Sequence, residues 1–268
     1  MSPLLPPSTT GPAPRPAVLI TGSATGIGAA CAREFARQGW NVVITHLDAA
    51  TADEAQQVAR DCEAVGATTL VQALDVGDDA ACRAVAATAV ARLGGLQVLV
   101  NSAGTTRFVP HEDLDALDAA EFQRTSQVNL VGPWQMTRAC REALSASGQG
   151  AVVNISSIGG VLGRGSSLAY AASKGALNTL TLGLARALAP AIRVNAIAPG
   201  FVDGGLPSRV LDAAQHGAVL ARQQQASVLG RVSQAEEVAA LAWFVAARAP
   251  GMTGAVLLMD NGLHLNAG

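Results

Sequence analysis

The sequence predicts a doubly wound α/β domain, one parallel seven-stranded sheet with helices on both faces. Three observations predict it. Short apolar runs alternate with helical patterns along the chain, which builds parallel strands joined by right-handed crossovers. A glycine-rich turn at residues 21–28 follows the first apolar run and opens the first helical pattern. The 268 residues are half apolar and only 14% charged, enough to cover both faces of a sheet within one domain.

Residues 17–21 read as the first strand, and a helix runs from the glycine turn to about Gln38. Residues 41–46 form the second strand. Residues 51–65 are helical, and Gly66 suits their end. Residues 68–74 are the third strand, 79–93 a helix and 96–101 the fourth strand. A long helical stretch covers 119–146. Residues 151–156 are the fifth strand, and 168–189 are helical up to Pro190. Residues 192–198 and 255–259 complete the sheet.

Two stretches stand apart. Residues 201–229 are polar, contain Gly204, Gly205 and Pro207, and are long for a connection, so 204–229 is expected to be a substrate lid. Its Arg209 and Arg222 suit either an acidic substrate or a solvated face. Residues 1–16 hold six prolines, with no basic start and no apolar stretch. They are expected to be a disordered leader, not a secretory signal, and the domain to span 17–268.

Net charge is −2, with no basic patch for nucleic acid or an anionic membrane. No apolar run is long enough to span a bilayer. Cys31, Cys62, Cys82 and Cys140 form no C-x-x-C pair and read as buried or half-buried free thiols of a reducing compartment. His46, His111, His216 and His264 do not cluster with them, so no metal site is expected. The cytoplasm is the expected location.

Residues 21–28 read T-G-S-A-T-G-I-G. Glycines after a strand let the backbone turn tightly and approach a pyrophosphate, and the helix start offers N–H groups to it. Gly22, Gly26 and Gly28, with Ala24, Thr25 and Ile27 between them, are the expected phosphate-binding residues. The residue meeting the adenosine ribose should end the second strand. That position is His46, with Asp48 two residues on. Without a carboxylate there a 2′-phosphate is less repelled, but no arginine stands beside it. The cofactor is therefore NADP or NAD, with the balance toward NADP.

Tyr170 and Lys174 are the only tyrosine and the only lysine of the chain, among 17 arginines. Four residues apart on a helix, they share one face. A lysine ammonium near a phenol is expected to lower its pKa from ~10, giving a group that exchanges a proton with an alcohol or ketone oxygen. Packing for Tyr170 and solvation for Lys174 is the bland reading, but arginine meets this chain's surface needs.

Together these motifs resemble the short-chain dehydrogenase/reductase family over nearly everything after the leader. The family's T-G-x3-G-x-G matches residues 21–28. Its N-N-A-G matches Asn101-Ser102-Ala103-Gly104, with serine for the second asparagine. Its serine thirteen residues before the tyrosine matches Ser157, its Y-x3-K matches Tyr170 and Lys174, and its helical asparagine matches Asn129. Its P-G after the sixth strand matches Pro199-Gly200. The closing V-L-L-M-D-N-G resembles the family's V-D-G-G, with Asn261 for a glycine.

The resemblance implies a Rossmann-type sheet and an NAD(P)-dependent enzyme similar to 3-oxoacyl-carrier-protein reductases and small polyol or sugar dehydrogenases. Such an enzyme interconverts a ketone and a secondary alcohol. It implies Tyr170 as general acid or base, Lys174 as its electrostatic partner and ribose ligand, and Ser157 as hydrogen-bond donor to the substrate oxygen. Ser156 is the neighbouring alternative. Asn129 is implied to hold a relay water. Asp75 and Val76 are implied at the adenine, Asn101, Ala103 and Gly104 along the cofactor cleft, and Val202 at the carboxamide through its backbone. Gly204 stands where the family often has threonine. A homotetramer built through the helices of Asn129 and Tyr170 is implied by analogy. A catalytically idle dinucleotide-binding regulator and an enzyme of dehydration or epimerisation are the alternatives.

Overall fold

The computed structural model describes residues 15–266, with the side chains of 208 and 209 left outside. Most of the expected leader and the side chain of Arg209 thus lie outside the described residues. The first half of the chain alternates as expected: β1 (Ala17–Thr21), α1 (Gly26–Arg37), β2 (Asn41–His46), α2 (Ala52–Ala64), β3 (Thr69–Ala73), α3 (Asp79–Leu93) and β4 (Val98–Asn101). Then come α4 (Ala119–Ser126), a π turn over Gln127–Val131 and α5 (Gly132–Ala146). They are followed by β5 (Gly150–Ile155), a short α6 (Gly159–Leu162), α7 (Leu168–Leu188) and β6 (Ile192–Pro199).

Seven strands form one parallel sheet in the order β3-β2-β1-β4-β5-β6-β9, where β9 is Val256–Met259. Alternation along β1 sends Val18 and Ile20 to one core layer and Leu19 to the other, so the strand is apolar throughout and buried on both faces. The registers Thr21↔Asn101 and Asn101↔Asn154 set the carboxyl ends of β1, β4 and β5 side by side. In an open α/β sheet a ligand crevice opens at those ends, where strand order reverses between β1 and β4.

Three features differ from the expected elements. The long middle helix is continuous but switches to π pairing around Asn129. The expected lid follows β7 (Val202–Asp203) and holds α8 (Pro207–Val210) and α9 (Ala213–Ala226). Asp212 starts α9 by a capping box with Gln215. After β8 (Ser233–Gln234), which pairs with β7, the helix α10 (Ala235–Ala247) packs on α1. Its apolar residues surround it, so it carries no amphipathic period to announce it. The Arg193 guanidinium donates to the carbonyls of Val245, Ala246, Ala249 and Met252 and closes the end of α10.

All four cysteines are free and buried. Among the described residues no helix is long and apolar enough to cross a membrane.

Candidate active site

The site is built where β5 hands the chain to α7. Ser167 caps α7, its Oγ accepting from the Tyr170 N–H at 3.2 Å. That fixes Tyr170 in the first turn, with Lys174 one turn later on the same face. A Cβ on Gly160 would stand 2.4 Å from the Lys174 carbonyl carbon, so only glycine lets α6 press on that turn.

Beyond Ile155 the two serines diverge. Ser156 is buried and donates to Asn178 Oδ1 at 2.6 Å, tying β5 to α7. Ser157 instead lies beside the Tyr170 phenol, where its hydroxyl pulls the phenol pKa down, and its Oγ accepts from the Gly159 N–H at 3.0 Å. Lys174 is buried, and Nζ donates to the Ile155 carbonyl at 2.8 Å, 5.8 Å from the centre of the Tyr170 ring.

The electrostatics correct the sequence expectation. Burial pushes the Tyr170 phenol above its ordinary value of 10, and only the Ser157 bond pulls it back. Burial also pulls the Lys174 ammonium down from 10.5 to about 8. Lys174 is buried with its ammonium turned to Ile155 and Tyr170 is half-buried, so desolvation outweighs the expected lowering by lysine. Near neutral pH the phenol is therefore protonated and the lysine charged.

Asn129 lies in the π turn and is fully buried. Such turns often re-aim a side chain at a functional site. Its Oδ1 accepts from the Thr105 N–H at 2.9 Å, while Nδ2 donates to the Thr105 carbonyl and to Ser173 Oγ, both at 3.0 Å. Ser173 Oγ in turn donates to the Tyr170 carbonyl at 2.7 Å. Both amide hydrogens are spent, while the oxygen keeps a second acceptor position for a water. A Cβ on Gly104 would stand 3.5 Å from Asn129 Oδ1 and 3.9 Å from Lys174 Nζ. The amide oxygen and the ammonium thus border one edge of Gly104.

The glycine loop fits a dinucleotide pyrophosphate. Gly22 and Gly26 take positive φ, and a Cβ on Gly28 would lie 2.3 Å from the Gly22 carbonyl oxygen. Ala24 is buried, and Thr25 and Ile27 flank Gly26 at the start of α1, whose first turn carries no acidic residue to oppose an anion. Thr45 ties this loop to β2: its Oγ1 accepts from Gly22 N at 3.0 Å and its carbonyl from Ser23 N at 2.9 Å. Thr21 Oγ1 accepts from the N–H groups of Ser102 and Ala103, both at 3.0 Å, and fixes the loop after β4.

His46 ends β2, with Nδ1 2.9 Å from the Asp48 carbonyl, while the Asp48 carboxylate caps the next short turn. Asp75 is exposed and accepts from Gly77 N at 2.8 Å. Val76 is buried against Gly132. The Asn101 side chain donates to Asn154 Oδ1 at 2.8 Å and bridges two strands, so it faces the sheet interior. Pro199 accepts from Ile158 N at 2.8 Å, and Gly200 lies against Asp260. Val202 is buried in β7. Gly204 has φ +72°, a conformation that strains threonine, which explains the departure there.

Thr45, Thr105 and Ser173 were not singled out by sequence reasoning. Their partners are backbone groups and amides brought close by the fold, and no spacing rule announces them.

Comparison with known proteins places this geometry in context. The family model described as enoyl-(acyl carrier protein) reductase matches residues 22–264. The chain is 37% identical over 253 residues to ketoacyl reductase 2 of the granaticin polyketide synthase of Streptomyces violaceoruber, covering 93% of this chain and 96% of that one. It is 38% identical over 252 residues to the cis-4-hydroxycyclohexanecarboxylate dehydrogenase of Sinomonas cyclohexanicum, covering 91% and 94%. A solved structure given as a short-chain dehydrogenase/reductase from Burkholderia xenovorans superposes with a TM-score of 0.88 at 49% identity, covering 94% of this chain and 98% of that one.

Proposed function

The chain belongs to the short-chain dehydrogenase/reductase family, an NAD(P)-dependent oxidoreductase acting on CH–OH groups, and from that premise we propose that it interconverts a ketone and a secondary alcohol with Tyr170 as proton donor and acceptor. One observation carries the reading: the Ser157 hydroxyl lies beside the Tyr170 phenol, and the buried Lys174 ammonium stands 5.8 Å from the centre of the Tyr170 ring.

The bound nicotinamide supplies the hydride, and the chain supplies position and the proton. Ser157 and Tyr170 offer two hydroxyls to one substrate oxygen, stabilising the charge that develops there in reduction. A phenol kept protonated by burial suits donation to that oxygen. Lys174 holds positive charge beside the phenolate that results and reaches the ribose hydroxyls. The open acceptor position of Asn129 Oδ1 holds the water that returns a proton toward Lys174. Gly22, Gly26 and Gly28 hold the pyrophosphate, and His46 lies at the adenosine ribose. With no carboxylate free at the end of β2, NADP(H) is preferred over NAD(H). Residues 204–229 close over the substrate. The exposed apolar Phe122, Trp134 and Leu182 on α4, α5 and α7 are suited to contacts between four copies.

The test is a cofactor-coupled absorbance screen with NADPH and NADH. It runs against an acetoacetyl thioester and 4-oxocyclohexanecarboxylate, the compound classes that the relatives' names indicate, and against a ketohexose for the polyol or sugar class. Turnover is expected on at least one ketone, faster with NADPH. Tyr170→Phe should lower kcat on that ketone by roughly a thousandfold with the fold intact. Full turnover by Tyr170→Phe on any hit would remove the proposed mechanism.

A further inference from the structure

One charged pair runs from the protein surface toward the proton path. Glu121 and Arg124 lie on α4, and Glu121 is buried although acidic. Arg124 grips it at two points, Nε to Oε2 at 3.1 Å and Nη2 to Oε1 at 2.8 Å. Thr125 Oγ1 donates to the same carboxylate at 3.0 Å. Arg124 holds that carboxylate below the usual range, with Arg107 adding its charge. A two-point grip fixes the plane of the guanidinium.

The third guanidinium nitrogen is therefore aimed. Nη1 donates to Thr105 Oγ1 at 2.5 Å. Thr105 is the residue whose N–H and carbonyl clamp the Asn129 amide. This clamp decides which way the amide faces, since a half-turn would exchange donor and acceptor. With Thr105 in place the amide oxygen borders the edge of Gly104 that Lys174 Nζ also borders. A rotated amide would turn N–H groups toward an ammonium, an unfavourable arrangement.

We propose, resting on the proton-transfer reading above, that Glu121 and Arg124 are positioning residues for this path. Their ion pair holds the Thr105 hydroxyl, and Thr105 fixes the Asn129 amide with its oxygen toward Lys174. Neither residue touches substrate or cofactor in this role. The contact depends on a threonine hydroxyl directly after the Ala103-Gly104 turn.

The experiment uses the full chain with its unique lysine labelled at 13Cε, so that one NMR signal reports Lys174. Arg124→Leu and Thr105→Val should each move that titration down by roughly half a pH unit. They should also lower kcat about fivefold on the fastest ketone of the panel, with KM for NADPH unchanged. Thr105→Ser restores the hydroxyl and should restore both values. Thr105→Val leaves the ion pair intact and decides the matter if Arg124→Leu fails to fold. Wild-type titration and kcat in Thr105→Val, or losses in Thr105→Ser equal to those in Thr105→Val, would overturn the proposal. If Tyr170→Phe retains turnover, the proton-transfer reading fails by itself, while the Lys174 signal still reports whether Thr105 fixes its surroundings.

Discussion

The floor of the crevice and the segment proposed to close over it are held in opposite ways. On the floor, Ser157, Tyr170 and Lys174 are each held by a hydrogen bond and Asn129 by three, and Lys174 and Asn129 are buried. In the proposed cover, α9 buries none of its residues. Its end is tied by Ser227 Oγ to the Asn261 carbonyl at 2.9 Å and by Asn266 Nδ2 to the Ala226 carbonyl at 2.9 Å. Its start leans on His216, whose ring lies 5.8 Å from that of Phe201 and whose Nε2 is 3.7 Å from Asp203 Oδ1. An over-determined floor and a lightly anchored cover suit fixed chemistry with a movable entrance.

The contrast makes graded predictions. The largest effect is expected at Gly28→Ala, whose methyl would meet the Gly22 carbonyl at 2.3 Å with only backbone to yield. A loss on the order of 4 kcal/mol in urea unfolding, with weakened NADPH binding by fluorescence, is expected. A mild effect there would mean the floor is softer than its contacts indicate.

Next is the pH dependence of stability. The folded Lys174 titrates at about 8 against an ordinary 10.5, so the unfolded chain binds the extra proton between those values. Stability from this group must therefore rise with pH across that window, by roughly 3 kcal/mol in total. The raised phenol of Tyr170 acts oppositely, its contribution being lost as pH climbs above 10. Urea melts of wild type and Lys174→Met between pH 7.5 and 10 check this: the four buried thiols, pushed up to about 11 or 12 from 9, cost both proteins stability as pH rises, and the wild type should lose less than Lys174→Met.

The smallest effect is expected at His216→Ala on the cover. Stability should change by about 1 kcal/mol or less, with KM for the ketone rising a few-fold and kcat unchanged. A large fall in kcat there would erase the distinction between floor and cover.

Much of the floor is legible in the sequence because its signals are local. The strands are apolar runs, the phosphate loop is a glycine pattern after one of them, and Tyr170 and Lys174 stand one helical turn apart. What stays hidden is set by the fold. No residue type demands the π turn at Asn129. The helix α10 is apolar on every side and shows no period. Thr105 and Ser173 matter through partners distant in the chain, 24 and 44 residues away in the case of Asn129. The direction of the Tyr170 shift depends on how deeply both groups are buried, which spacing cannot give. The cover is least legible, because a solvated helix with no buried residue leaves little pattern beyond its capping box.

Because the chain has one lysine and one tyrosine, the proton-transfer pair can be observed without assignment. A sample labelled at lysine 13Cε and tyrosine 13Cζ, titrated by NMR, follows Lys174 and Tyr170 as single signals. A desolvated pair predicts a lysine inflection near pH 8 and a phenol that stays protonated beyond pH 10. A lysine inflection near 10.5 with a phenol titrating at or below 10 would contradict it.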